Sequence, residues 1–352
     1  MTLTIPAPPL FGAMLFESEE YLMQNDFFLT TWFLEAMKWI YSNIGSVFFT
    51  ILISTVILRG ITVFSDIKTR KSSAQMAEIQ PDLARLQKKY KDNPQRLQAE
   101  QSKFMKEKGV SMWGSCLPML ITMPLFFCFI AAFRFWSYEQ MIRLLVESGD
   151  QQKQLMESFR FLWINNIWQP DNGLSPVIMD AATFLKTKDL SKLLYLQNNP
   201  EVWEKLVNLG VAARELVSSV NDKKEIIWTE TFRFLSNETA VASYNAAMQP
   251  LAEMYTGVNN GWFILPVLAS GSQLLASWIM QKNQPQTAAN AQAQSTNKMM
   301  MYMFPIMSFV FCLSNSSAFA IYWTLSSAIG IFVNLLLNKM YPRVTPVEED
   351  KK

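Results

Sequence analysis

Four long apolar blocks dominate the chain: Ile44–Phe64, Val110–Phe133, Gly261–Met280 and Met299–Leu337. About 20 apolar residues of helix are enough to cross the hydrocarbon core of a bilayer. The last block is too long for one crossing, and its polar centre, Ser314-Asn315-Ser316-Ser317, splits it in two. The pattern predicts an all-α integral membrane protein with five transmembrane helices. The first block is internal and long, and no small-residue cleavage site follows it, so it reads as a span and not as a removed signal peptide.

Charge orients the spans. The loop at 65–109 holds 11 Lys and Arg against 6 Asp and Glu, whereas the segment at 135–257 holds 11 against 15. The first 43 residues hold one Lys and five acids. Short loops rich in Lys and Arg stay in the cytoplasm. This predicts an outside N-terminus and a cytoplasmic C-terminus, which five spans also require.

The expected organisation follows. An outside segment 1–43 carries an amphipathic interfacial helix over Phe27–Tyr41. The spans are 44–64, 110–134, 258–281, 299–314 and 317–338. A basic helical hairpin occupies 65–109 on the cytoplasmic side. An outside segment fills 135–257, with a helical insert at about 179–257. A cytoplasmic loop, 282–298, and a cytoplasmic tail, 339–352, complete the chain.

In the hairpin, Met76, Ile79, Leu83, Leu86 and Tyr90 recur at helical spacing. Asp92-Asn93-Pro94 makes a turn, Pro94 opens a second helix with Leu97, Phe104 and Met105, and Gly109 stops it. Two readings stand: a solvated loop that only sets topology, or a docking arm for a cytoplasmic partner. In the outer segment, the aromatic run Phe159–Asp171 is expected at the headgroup level. Leucines at 190, 193, 194, 196, 206 and 209 suggest amphipathic helices after it.

Residue usage excludes much chemistry. The chain has no histidine, which removes imidazole-based nucleophile activation, His-ligated metal and imidazole proton relays. Cys116, Cys128 and Cys312 fall in predicted spans and read as small buried hydrophobes. No lysine lies deep in a span, and no phosphate-cradling glycine loop or cofactor motif is present. The chain is therefore expected to be no enzyme, with no catalytic residues, cofactor or metal.

Arg59 is the chemically informative residue. It sits near the cytoplasmic end of the first block, in Ile53-Ser54-Thr55-Val56-Ile57-Leu58-Arg59-Gly60. A guanidinium stays charged, and burying it costs roughly 3 kcal/mol on insertion scales. No Asp or Glu lies inside any predicted span to pair with it. Arg59 either snorkels to the surface or faces a wet cavity, and residue chemistry leaves both open. Ser54, Thr55, Gln273, Trp323, Thr324, Ser326, Ser327 and Asn334 add polar groups to spans, where such groups face protein or water. Pro118 and Pro124 are each expected to bend the second span.

Several stretches together resemble the YidC/Oxa/Alb family of membrane protein insertases. They are the arginine in the first span, Gly114-Ser115-Cys116-Leu117-Pro118 through Met123-Pro124, and Phe161-Leu162-Trp163 with Pro170-Asp171. Ile264-Leu265-Pro266-Val267-Leu268, Met299 through Met307 and Tyr322-Trp323-Thr324 continue the likeness in order. The resemblance implies a hydrophilic groove within the membrane, lined by Arg59, Gln273, Trp323, Ser54, Thr55 and Tyr322. It implies nascent membrane proteins as substrates, and the ribosome, the Sec translocon and membrane lipids as partners, with no DNA. It places the chain as a multi-pass protein of a bacterial plasma membrane. The chain shows no extra N-terminal span, large periplasmic domain or lipobox cysteine, which suggests a Gram-positive-type member. The competing expectations are a small-anion transporter or channel, and an assembly chaperone that holds spans without moving them. Internal repeats of the kind seen in transporters are absent from the sequence.

Overall fold

The computed structural model describes residues 28–91, 93–109, 117–187, 190–220, 226–282 and 291–340. Expectations for 1–27, 110–116, 283–290 and 341–352, Cys116 among them, lie outside the described residues. Long helices α1 (Phe28–Ile44), α2 (Val47–Lys89), α3 (Pro94–Glu107) and α4 (Leu117–Val146) come first. Short helices α5 (Gly149–Ser158), α6 (Ala181–Leu185), α7 (Leu194–Asn198) and α8 (Pro200–Asn208) lead to strands β1 (Ala212–Val220) and β2 (Ile226–Phe234). The chain closes with α9 (Glu238–Met254), α10 (Ile264–Lys282), α11 (Ala291–Ser314) and α12 (Ser317–Met340). Val47–Lys68 and Ser317–Met340 are long and apolar enough to cross a membrane by length and composition, and Ile264–Ile279 and Met301–Ser314 are shorter apolar helices.

The chain forms two compact units. The first comprises Met1–Asn43, Phe126–Leu265 and Cys312–Phe319. In it, α1 turns Thr30, Phe33, Leu34 and Met37 inward. Phe33 packs on Phe129 of α4, with ring centroids 4.5 Å apart, and Tyr41 meets Trp136 edge-on. The α4 run from Cys128 to Phe133 is buried throughout. Glu139, also buried, is held by Lys38 of α1 at 3.1 Å and by Arg143 one turn along α4 at 2.7 Å. A carboxylate leaves water there only because two cations replace its hydration.

The insert corrects an expectation. Residues 179–257 are not purely helical, because β1 and β2 pair antiparallel from Ala212 opposite Phe234 to Val220 opposite Ile226. The reason is legible in the residues. Trp228, Glu230, Phe232 and Phe234 alternate with Ile227, Thr229, Thr231 and Arg233, a period of two built from aromatic and β-branched types. Trp203 of α8 stacks nearly parallel on Phe232, and Phe184 meets Phe234 edge-on. Tyr244 of α9 is buried against Phe184 and donates its hydroxyl to the Met179 carbonyl at 2.8 Å.

The second unit comprises Ile44–Leu125, Pro266–Phe311 and Ala320–Lys352. Helix α2 runs unbroken from the first apolar block into the basic region, with Pro81 inside it. Helix α3 packs against α2 through Ile79, Leu83 and Met105, flanked by Leu86 and Phe104. The Asn93 side chain accepts the Arg96 backbone N–H and Pro94 sits in the first turn, so the start of α3 is capped. Gly109 has φ +67°, which favours glycine where a helix stops. Of the two prolines expected to bend the second span, Pro124 lies inside α4, and Pro118 is the second of the described residues of that helix.

Candidate functional site

Helix α2 presents Thr55 and Arg59 on one face, four residues apart. The Arg59 guanidinium lies against Gly330 of α12. A Cβ placed on Gly330 would stand 3.0 Å from Nη2 and 3.1 Å from Cζ. Tyr322 of α12 bonds through its hydroxyl to Ser326 and lies within electrostatic reach of Arg59. The Nε of Arg59 is buried with no hydrogen-bond partner, and no ion pair of Arg59 with a carboxylate occurs among the described residues. Arg59 is thus a cation set into protein, with part of its donor capacity unspent.

The other expected residues divide. Gln273 of α10 accepts a hydrogen bond from Ser327 of α12 through Oε1 at 3.0 Å, which joins those two helices by a polar contact. Trp323 is half-buried on α12, beside Tyr322 in sequence. Ser54 Oγ is buried without a partner among the described residues. Thr55 is fully buried, and its hydroxyl is spent on the Ile51 carbonyl of its own helix at 2.6 Å. Arg59 and Tyr322 are brought together, and Gln273 is brought to α12, while the Thr55 hydroxyl meets no partner beyond α2 among the described residues. Sequence reasoning missed Gly330. Its only signal was an isolated glycine inside an apolar helix, which marks a close approach by some neighbour.

The first unit holds a different polar construction, around Asp171. Its carboxylate is fully buried and accepts three donors: Trp262 N at 2.7 Å, Leu265 N at 2.7 Å and Trp163 Nε1 at 3.1 Å. The Leu265 N–H belongs to the first turn of α10, where a negative charge is favoured, and Trp262 lies just before that helix. Gly261 lies so close to Asp171 that a Cβ there would collide with the carboxylate. Asn260 and Asn166 bond reciprocally, each contact 2.7 Å, and Asn260 also reaches the Pro170 carbonyl. Ser317, first residue of α12, donates its N–H and hydroxyl to the Gln169 carbonyl, and Asn172 donates to Leu313 near the end of α11. The segment 166–172 therefore ties the adjoining ends of three helices.

Part of the aromatic run expected at the headgroup level packs inside the first unit. Phe159, Ile164, Ile167 and Trp168 are buried, and Trp168 packs on Trp136 with centroids 5.0 Å apart. Leu162 stands largely exposed, at φ +52°. Asp171 and Asn166 are buried beside these side chains, and their hydrogen bonds replace the hydration they lose and fix the backbone there.

A family model described as "60Kd inner membrane protein" matches residues 39–210 and 225–344. The chain belongs to that family. It is accordingly a membrane protein of bacterial type, mostly helical. The break in the family match, 211–224, falls across β1. A relative named membrane protein insertase YidC, from Clostridium perfringens (strain 13 / Type A), is 34% identical over 149 residues, which cover 42% of this chain and 56% of the relative. The protein of that name from Clostridium tetani (strain Massachusetts / E88) is 33% identical over 121 residues, 34% of this chain and 47% of the relative. That from Chlorobium limicola (strain DSM 245 / NBRC 103803 / 6330) is 38% identical over 170 residues, 44% of this chain and 26% of the relative. The chain spans about half the length of the clostridial relatives and about a quarter of the Chlorobium protein.

Proposed function

We propose that this chain is a membrane protein insertase. It moves nascent hydrophobic segments and their short hydrophilic tails into the bilayer through a hydrophilic groove that carries the positive charge of Arg59. The seating of Arg59 carries the reading: a cation on an apolar helix, laid against Gly330 beside Tyr322, with Nε unpartnered and no carboxylate paired to it among the described residues. A charge kept in low dielectric at this cost needs a use. Family membership and the name of the relatives support the same reading.

The mechanism uses this chain's own residues. A nascent segment meets the basic helices α2 and α3 at the cytoplasmic surface. Its hydrophilic leading stretch, often acidic, enters the groove and is drawn by Arg59, near Gln273 and Ser54. The groove shortens the apolar distance that a polar stretch must cross, and so lowers the desolvation barrier. The hydrophobic segment then passes Tyr322 and Trp323 into lipid. Burial of its apolar surface supplies the driving force, at about 25 cal/mol per Å². No nucleotide or covalent step is needed. In this reading five spans place the N-terminus outside and the C-terminus in the cytoplasm of a bacterial plasma membrane. The ribosome, the Sec translocon and membrane lipids are the partners.

The test is insertion of a substrate with an acidic leading segment into proteoliposomes holding the purified chain. Arg59→Ala is expected to abolish it, and Arg59→Lys to keep much of it. Equal activity of wild type and Arg59→Ala sinks the proposal. Anion flux without crosslinks from position 59 or 323 to a stalled nascent chain turns the reading to a transporter. Crosslinks without transfer of the leading segment turn it to an assembly chaperone.

A further inference from the structure

We infer that Gly330 is a positioning residue for the groove cation: its missing side chain is the seat in which the Arg59 guanidinium rests. This inference builds on the insertase reading and adds a residue to it. Three observations on α12 converge. First, Gly330 is buried, and what fills the space of its absent Cβ is the guanidinium itself, with Nη2, Cζ and Nη1 at 3.0, 3.1 and 3.4 Å from that point. Second, the positions on either side along the same face are already engaged. Ser327 donates to Gln273, and Asn334 donates back to the Gly330 carbonyl at 2.9 Å. Positions 327, 330 and 334 are spaced three and four apart, so they share one face of the helix. Third, Arg59 has no carboxylate partner among the described residues to hold it in place.

A long, flexible cation with no ion-pair partner is free to swing toward water. Shape then has to do what charge pairing does elsewhere. A planar guanidinium can lie flat on a bare backbone, and glycine is the one residue that leaves the backbone bare. With the plane held there, the Nη groups keep one orientation, and an incoming carboxylate meets a donor already aimed. A side chain at 330 pushes the cation off this seat without opening a cavity or orphaning a hydrogen bond. Because the displaced atoms are the far end of a flexible chain, the fold tolerates the change while the position of the charge does not.

The experiment is a cycle between positions 330 and 59 in the proteoliposome assay, on full-length protein and a substrate with an acidic leading segment. Gly330→Ala is expected to lower the insertion rate roughly twofold and Gly330→Leu roughly threefold, to about the level of Arg59→Lys, as befits a charged donor moved off its aim. Alanine is the better helix former, so a loss in Gly330→Ala does not trace to a weaker α12. In an Arg59→Lys background the Gly330→Leu penalty should vanish, because a lysine ammonium has no plane to lay on the helix. A role in helix packing alone would cost the same in both backgrounds. Full activity of Gly330→Leu, or an equal penalty with Arg59 and with Lys at 59, overturns the inference while Arg59→Ala stays inactive. Activity of Arg59→Ala overturns the insertase reading itself, and the two failures are thereby told apart.

Discussion

Asp171 and Arg59 are both charges on otherwise apolar stretches, and the two units treat them in opposite ways. Asp171 in the first unit is fully buried, and two backbone N–H groups and an indole N–H answer it. Arg59 in the second unit is half-buried, rests on a glycine, and leaves its Nε unanswered among the described residues. A satisfied buried charge acts as a rivet, since its hydrogen bonds are lost if the surrounding backbone moves. An unsatisfied one gains by meeting a partner from outside. On the proposed reading, the contrast separates the part of the molecule that holds shape from the part that would handle substrate.

Substitutions at the two charges should therefore move different observables. The largest expected effect is at Arg59. Arg59→Ala should abolish insertion of substrates with acidic leading segments and barely change the thermal midpoint in detergent, because the guanidinium has no ion-pair partner and its Nε no hydrogen-bond partner among the described residues. A large fall in the midpoint with activity retained would reverse the comparison. Asp171→Ala should do the opposite. It strands three donors, one of them buried and two partly buried, and should destabilise the fold by about 3 kcal/mol, read as a fall in the thermal midpoint. Asp171→Asn should cost less, because an amide oxygen still accepts from the start of α10.

Smaller effects sharpen the same distinction inside the insert. Burial of Tyr244 pushes its phenol well above the usual value, with the charge of Asp180 adding to the rise. A raised folded value means that the neutral form is native. Its contribution is fully present below about pH 10, the unfolded value, and is lost as pH rises beyond that. Alkaline unfolding of wild type, followed by near-ultraviolet circular dichroism, should shift upward in Tyr244→Phe. At neutral pH that variant should lose about 1 kcal/mol, for the hydrogen bond to Met179. The least effect is expected at Thr55→Val. Its hydroxyl serves only its own helix, so both insertion rate and thermal midpoint should stay within about 0.5 kcal/mol of wild type.

Much of this was legible before any coordinates. The apolar stretches read as helices are helical over most of their described residues, with helix starting at Val47 and Ile264, and Asn93-Pro94 and Gly109 bound α3 as their backbone preferences require. The strands were legible too, in the alternation of Trp228, Glu230, Phe232 and Phe234, but the leucine spacing just before them suggested helix. Short amphipathic stretches carry both periods, and cross-strand pairing decides between them. Asp171 was visible only as part of a family-like motif. An acidic residue next to a proline reads as a surface turn, and nothing local shows that residues about 90 positions later will bring it two N–H groups.

Local chemistry, then, settled what needs no distant partner. Apolar runs of membrane-crossing length, the sign of each loop and the charge on Arg59 are properties of neighbouring residues, and the chain alone determined them. Tertiary structure decided which charges are answered and which are not. That Asp171 closes on the start of α10, that Gln273 meets Ser327, and that the guanidinium of Arg59 finds the bare backbone of Gly330 all depend on contacts between residues far apart in sequence. Burial converts such contacts into energy, because a charge out of water is costly until a specific neighbour replaces its hydration.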